Sequence, residues 1–258
     1  PFMRNAYQDH FDFGLGGTMY YTTNTDVTPH STYHYFRFQL NSAGNLLSLF
    51  NPLMSKNADG SRMVWNTPYS QYVRGEFTAG KTWVFGKNER QSVATRFLAG
   101  AGYAYGNSGA LPFEQHFYAG GANSLRGWQA RSVGPGLSVR DTSFVIPNQT
   151  GDMKLEANAE YRFGLFWKVN GALFLDAGNV WTLNDTRHDS GSVSADEVAE
   201  AKPGKLTADN FIKGIALDWG AGLRLDLNFI LVRLDLGIVL RDPSRDAGNR
   251  WAPPSRWF

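Results

Sequence analysis

Asp152-Met153-Lys154-Leu155-Glu156-Ala157-Asn158-Ala159-Glu160-Tyr161-Arg162-Phe163-Gly164-Leu165 alternates between two kinds of residue without a break. Its even positions hold Asp, Lys, Glu, Asn, Glu, Arg and Gly, and its odd positions hold Met, Leu, Ala, Ala, Tyr, Phe and Leu. A helix would scatter these two sets around its axis, whereas a strand places them on opposite faces. The segment is therefore a strand with one polar and one apolar face. Gly214 to Asp226 repeats the pattern, with Ile215, Leu217, Trp219, Ala221, Leu223 and Leu225 opposite Asp218, Gly220, Gly222 and Arg224. Val232 to Leu240 does so again, and weaker versions occupy 11–23, 30–41, 70–85, 92–105 and 170–182. The total is about eight strands, several of them longer than the usual mode of about five or six residues.

The connections alternate as well. They are short at 24–29, long at 42–69, short at 86–91, long at 106–151, short near 166–169, long at 183–212 and short at 227–231. A soluble sandwich has no reason to gather its long connections at one end. An outer-membrane barrel does, with tight periplasmic turns and long extracellular loops. The expected fold class is all-β, an antiparallel transmembrane β-barrel. Asn45 to Met54 reads as a short helix at the barrel mouth. The expected lipid face comprises Leu155, Tyr161, Phe163, Leu217, Leu223, Leu234 and Leu236, and the recurring Gly, Asp, Glu and Arg opposite them suit a wet lumen. Trp83, Phe85, Trp167, Trp181 and Trp219 lie within or near strand ends, where an interfacial girdle wants amphipathic rings.

Composition agrees. The 258 residues include 28 Gly, 18 Phe, 11 Tyr and 8 Trp, with a net charge of +2 and no Cys. The charge leaves no whole-chain footprint for nucleic acid, and the missing Cys removes disulfides, thiolate catalysis and thiolate metal sites. Mean hydropathy is −0.35, and no uninterrupted apolar run is long enough for a transmembrane helix. A barrel is compatible with both facts, because its apolar face is diluted by its polar one. With neither an initiator Met nor a signal peptide at Pro1, the chain reads as a mature product or an excised piece.

The loop at 106–151 carries Phe113, Phe117, Tyr118, Gly120-Gly121 and Leu125-Arg126-Gly127-Trp128. A solvated rim loop would be richer in Ser, Asn and Asp. This loop is composed for burial, and a buried guanidinium needs carboxylate partners. Gly120-Gly121 followed by Leu125-Arg126-Gly127-Trp128 resembles the (Val/Ile)-Arg-Gly-(Phe/Tyr) signature of the outer-membrane insertase superfamily. That superfamily includes BamA-like assembly factors, TamA-like translocation factors and two-partner secretion transporters. Ala159-Glu160-Tyr161-Arg162-Phe163 resembles its glutamate-bearing strand, and Phe174-Leu175-Asp176-Ala177-Gly178 its Phe-x-Asp-x-Gly strand. Trp128 stands where the family usually has Phe or Tyr.

The resemblance implies a sixteen-stranded barrel preceded by periplasmic repeat domains, of which residues 1–258 supply the C-terminal half. It implies that the loop folds into the barrel and that Arg126 meets Glu160 and Asp176, with Gly178 on the same face as Asp176. It also implies a non-enzymatic role, without cofactor, in inserting or assembling barrel proteins in the bacterial outer membrane. The implied partners are outer-membrane lipids, unfolded barrel-protein clients, and accessory assembly lipoproteins or periplasmic factors. The alternatives are a secretion transporter of the same superfamily and a passive diffusion porin.

Other chemistry is weaker. His30 and His34 share a strand face, but two His without further ligands make a poor metal site beside Tyr33 and Tyr35. His188, Asp189 and Ser190 are adjacent in one loop and lack a nucleophile elbow. The tail from Arg241 to Phe258 contains Pro253-Pro254, which cannot donate to a ladder. The native protein is accordingly expected to continue past Phe258 with one more strand.

Overall fold

The computed structural model describes residues 9–24, 31–58, 60–86, 90–139, 149–183, 202–227 and 230–253. His30, the His188-Asp189-Ser190 run and the tail beyond Pro253 lie outside the described residues. The strands are β1 (Gly14–Thr22), β2 (Tyr33–Ala43), β3 (Met63–Val64), β4 (Thr67–Pro68), β5 (Tyr72–Phe85), β6 (Gln91–Ala104), β7 (Met153–Phe166), β8 (Val169–Trp181), β9 (Ala216–Asp226) and β10 (Leu231–Arg241). Eight of them form one antiparallel sheet in the order β1-β2-β5-β6-β7-β8-β9-β10, each long strand beside its sequence neighbours. β3 and β4 pair only with each other, as a small hairpin in the loop between β2 and β5. The helix expected at 45–54 is a four-residue α-helix, Asn45–Ser48, followed by a 3-10 turn at Asn51–Leu53.

Register fixes the two faces of the sheet. Lys81 pairs with Thr95, Thr95 with Ala159, and Ala159 with Leu175, so the odd-numbered residues of β5 to β8 share one face. Phe77, Trp83, Phe97, Leu173, Leu175, Leu223, Leu234 and Leu236 lie exposed on this apolar face. Large exposed hydrophobics in such numbers would be a liability in water and suit a sheet facing lipid. On the other face Thr78, Thr82, Glu156, Glu160, Asp176 and Asp218 are buried. Their burial comes from the loops: Phe117, Ala119, Leu125 and Val133 form a hydrophobic cluster with Val180 and Ala216. A second cluster joins Leu111 to Ala43, Tyr72 and Ala104.

Among the described residues the sheet does not close: β1 pairs only with β2, and β10, beyond its partner β9, gains only an Arg241–Trp251 bridge and a hydrogen bond from Ala252 N–H to the Leu240 carbonyl.

The aromatic girdle follows the sequence reading at the short-turn end and departs from it elsewhere. Phe85 stacks on Tyr161 at 6.4 Å between centroids, Tyr161 lies 5.4 Å from Phe163, and Trp83 is exposed beside them. Trp181 is no girdle residue: it is fully buried and lies 5.6 Å from Phe211, covered by the long connection between β8 and β9. Trp219 pairs with Leu175 in the middle of β8, so it sits at mid-height rather than at an interface.

Candidate functional site

The loop between β6 and β7 turns back across the polar face, and two glycines set its path. Gly120 and Gly121 adopt φ of +97° and +96°, in the region where a side chain is strained. A Cβ on Gly120 would stand 2.2 Å from the Gln129 carbonyl oxygen, so the two limbs of the loop touch here. Leu125 is then fully buried, and Trp128 packs against the same cluster. The strands make room for the tip. A Cβ at Gly237 of β10 would lie 2.6 Å from the Arg126 carbonyl oxygen, and one at Gly127 would lie 2.6 Å from the Asp218 Cβ.

Arg126 points from this tip into a carboxylate pair. Its Nε and Nη2 donate to the two oxygens of Asp176 at 2.8 and 2.9 Å, a fork-to-fork arrangement, and its backbone N–H donates to Asp176 Oδ2 at 3.2 Å. Nη1 donates to Glu160 Oε2. Its guanidinium carbon lies 3.6 Å from the centroid of the Phe174 ring, whose face complements a cation. The Arg126 side chain is 7% exposed and that of Asp176 is 0%. Burial opposes the arginine's charge, but hydrogen bonds and attraction from Asp176 and Glu160 outweigh it and hold its pKa above the ordinary value.

The surroundings are tied in turn. Glu160 also accepts from Arg162 at 2.8 Å and from Arg224 at 3.2 Å. Asn158 donates to Asp176 at 2.8 Å and to the Ser124 carbonyl at 3.0 Å. Arg96 reaches the Asn123 carbonyl at 2.6 Å, and Arg233 reaches the Ala122 carbonyl at 2.6 Å. Glu156, fully buried, pairs with Lys154 at 2.9 Å and with Arg96. Strands β6, β7, β8 and β10 thus all hold the segment 122–126.

Of the residues singled out from sequence, Gly120, Gly121, Leu125, Arg126, Gly127, Trp128, Glu160 and Asp176 converge in this constellation. Gly178 does not touch the arginine. It sits opposite Glu156 in the β7–β8 register, where a Cβ would stand 2.5 Å from the Leu155 carbonyl oxygen. Sequence reasoning missed Glu156, Asn158, Asp218, Arg224 and Arg233, and it gave Phe174 a place in a motif but no contact with Arg126. Glu156 and Asn158 share the parity of Glu160, so alternation was the signal available for them. Phe174 breaks that signal, being apolar on the polar face, because it serves the guanidinium. Among the described residues no cluster of metal-ligating side chains occurs.

The chain matches the Omp85 superfamily domain over residues 5–252. It is 30% identical over 123 residues to the outer membrane protein assembly factor BamA of Neisseria meningitidis serogroup B, an overlap of 46% of this chain and 15% of that protein. Among solved structures it resembles BamA from Haemophilus ducreyi lacking POTRA domains 1-3, with a TM-score of 0.46 and 15% identity, over 93% of this chain and 52% of that one. The chain thus spans about half the length of that structure and a smaller part of the full relative. With the family domain matched across every described strand, the chain belongs to the Omp85 superfamily of integral outer-membrane β-barrel proteins.

Proposed function

We propose that residues 1–258 form the C-terminal half of a BamA-like barrel that inserts or assembles other barrel proteins in the outer membrane, without cofactor or covalent chemistry. The observation that carries this reading is the loop tip held by Arg126 against Asp176 and Glu160 on the inner face of the sheet. In this reading the 106–151 loop is the signature loop. It braces β7 and β8 from inside, while the seam between the first and last strands of the whole barrel templates client strands through unpaired backbone groups. Unfolded barrel proteins, membrane lipids and accessory lipoproteins or periplasmic factors are the corresponding partners.

A passive porin is disfavoured by the same loop, because Phe117, Leu125 and Val133 pack with Val180 and Ala216 over the polar face of the sheet that a porin would leave to water. A secretion transporter of the same superfamily is the second reading and shares this architecture. The test is reconstitution of the full-length protein in liposomes with a urea-unfolded barrel client. An insertase accelerates client folding into the bilayer, and Arg126→Ala abolishes most of that acceleration. Unchanged client folding together with passage of an unfolded chain into the liposome lumen would assign the transporter instead.

A further inference from the structure

The apolar face of the sheet is not uniformly covered. Across it, paired residues form rows: His34, Lys81, Thr95, Ala159 and Leu175 in one, and Phe36, Ala79, Phe97, Ala157 and Ala177 in the next. The small side chains Ala79, Thr95, Ala157 and Ala159 lie between the larger Phe36, Phe97 and Leu175. They leave a depression of about 690 Å³, within the ~300–1,000 Å³ of ligand-sized clefts.

One end of this depression is basic. Lys81 lies exposed on the lipid face, and its Nζ stands 5.1 Å from the centroid of Trp83, two residues nearer the short turn. Among the described residues no carboxylate reaches it. His34 is its direct cross-strand neighbour, with its ring between Tyr21 and Phe36 at 6.0 and 5.6 Å. Lys81 is four residues from the strand end at Phe85, or ~13 Å along a strand rising ~3.3 Å per residue. The strand's tilt shortens that depth further. A lysine facing hydrocarbon is costly at mid-bilayer and tolerated near the interface, where its stem can snorkel and its ammonium can meet a headgroup.

We propose that this depression binds one phospholipid of the periplasmic leaflet. Lys81, with His34 beside it, takes the phosphate at the level of the Trp83 and Tyr161 rings. One acyl chain runs from there toward mid-bilayer over Ala159, Ala79 and Ala157. Charge selects the occupant, because the basic end lies at headgroup depth and the apolar floor continues from it toward the membrane centre. The inference rests on the odd-numbered face being the lipid face, and on the short turns being periplasmic.

The experiment titrates the full-length protein in detergent with phosphatidylglycerol and counts retained lipid by native mass spectrometry. Wild-type protein is expected to retain one phosphatidylglycerol at concentrations where further lipids dissociate. Lys81→Met is expected to weaken that retention about fivefold, the weight of one lysine near an anionic surface. Ala159→Leu, which fills the depression and keeps the lysine, is expected to weaken it as well, whereas Leu234→Met, on the same face outside the depression, leaves it unchanged. Retention equal to wild type in either Lys81→Met or Ala159→Leu overturns the proposal. So does an equal loss in Leu234→Met, which would mean non-specific annular lipid, or a protein or second copy occupying this face. Flotation of wild-type protein with vesicles reports membrane insertion separately. Its failure would sink the barrel reading itself, whereas inserted protein without the retained lipid sinks only the site.

Discussion

Arg126 directs four N–H groups at two carboxylates, two guanidinium groups and its backbone N–H at Asp176 and one guanidinium group at Glu160, and its side chain is nearly buried. Replacing it with alanine leaves two interior carboxylates without that cation. Removing one partner of a buried pair costs about 3–5 kcal/mol, and water reaching the lumen reduces the figure. Arg126→Ala should make the 111–136 segment protease-sensitive at concentrations where the wild type resists. Arg126→Lys should fall between the two, since an ammonium keeps the charge but cannot match the carboxylate fork. Wild-type resistance in the alanine variant would show that the arginine does not hold the loop. Gly237→Val probes the same docking without touching a charge. Its Cβ would stand 2.6 Å from the Arg126 carbonyl oxygen, so the loop should loosen although every ionic partner is intact. Unaltered protease resistance in this variant would mean that the tip does not rest on β10. That Arg126 needed carboxylates was legible in the sequence, through its apolar neighbours and the matching motifs. Asp218 was not, because its place opposite Asp176 depends on the β8–β9 register, and register is set by pairing rather than by either strand alone.

The strands test the two-faced reading directly. Lysine at Phe97 or Leu175, near the middle of their strands, places a charge on the exposed apolar face and should cost about 2–4 kcal/mol near the bilayer midplane. The polar-face control needs care. From sequence, Gly220 and Asn158 promise milder effects. In the structure a Cβ at Gly220 would stand 2.3 Å from the Phe174 ring, and Asn158 bridges Asp176 and the loop. Gln39 is the better control, since among the described residues its side chain's only hydrogen bond is the one it accepts from Arg37. Gln39→Lys should be close to neutral in a reversible folding titration, and equal penalties on the two faces would contradict a membrane barrel. Period-2 alternation made the strands readable to within a few residues, because side-chain direction on a strand is fixed by the backbone. Trp181 shows where that logic stops. Its position near a strand end suggested an interface, but the connection that buries it comes from residues more than twenty positions downstream, at Phe211. The folded-in loop was legible as a buried loop, whereas its grip by Arg96, Asn158 and Arg233 was not, since those contacts join residues as far as 111 positions apart.

At the scale of the molecule, the open sheet, the apolar outer face and the loop on the inner face make one arrangement. The outer face suits lipid, and the inner face is occupied by the chain's own loop. Everything in this arrangement depends on the loop staying docked. Residues 1–258 contain no Cys, so a thiol introduced there is the one thiol of this segment and reports that docking. Ser124 is 7% exposed, and its hydroxyl accepts from Gly120 N–H at 3.1 Å, which makes it a close and nearly isosteric site. The decisive measurement is the rate at which a membrane-impermeant maleimide labels Ser124→Cys in the full-length protein in intact outer membranes, with and without Arg126→Ala. With Arg126 present the thiol should stay unlabelled while a thiol at exposed Trp65 reacts, and with Arg126→Ala it should label readily. Equal labelling of Ser124→Cys in the two backgrounds would contradict the arginine-held loop on which this account of the protein rests.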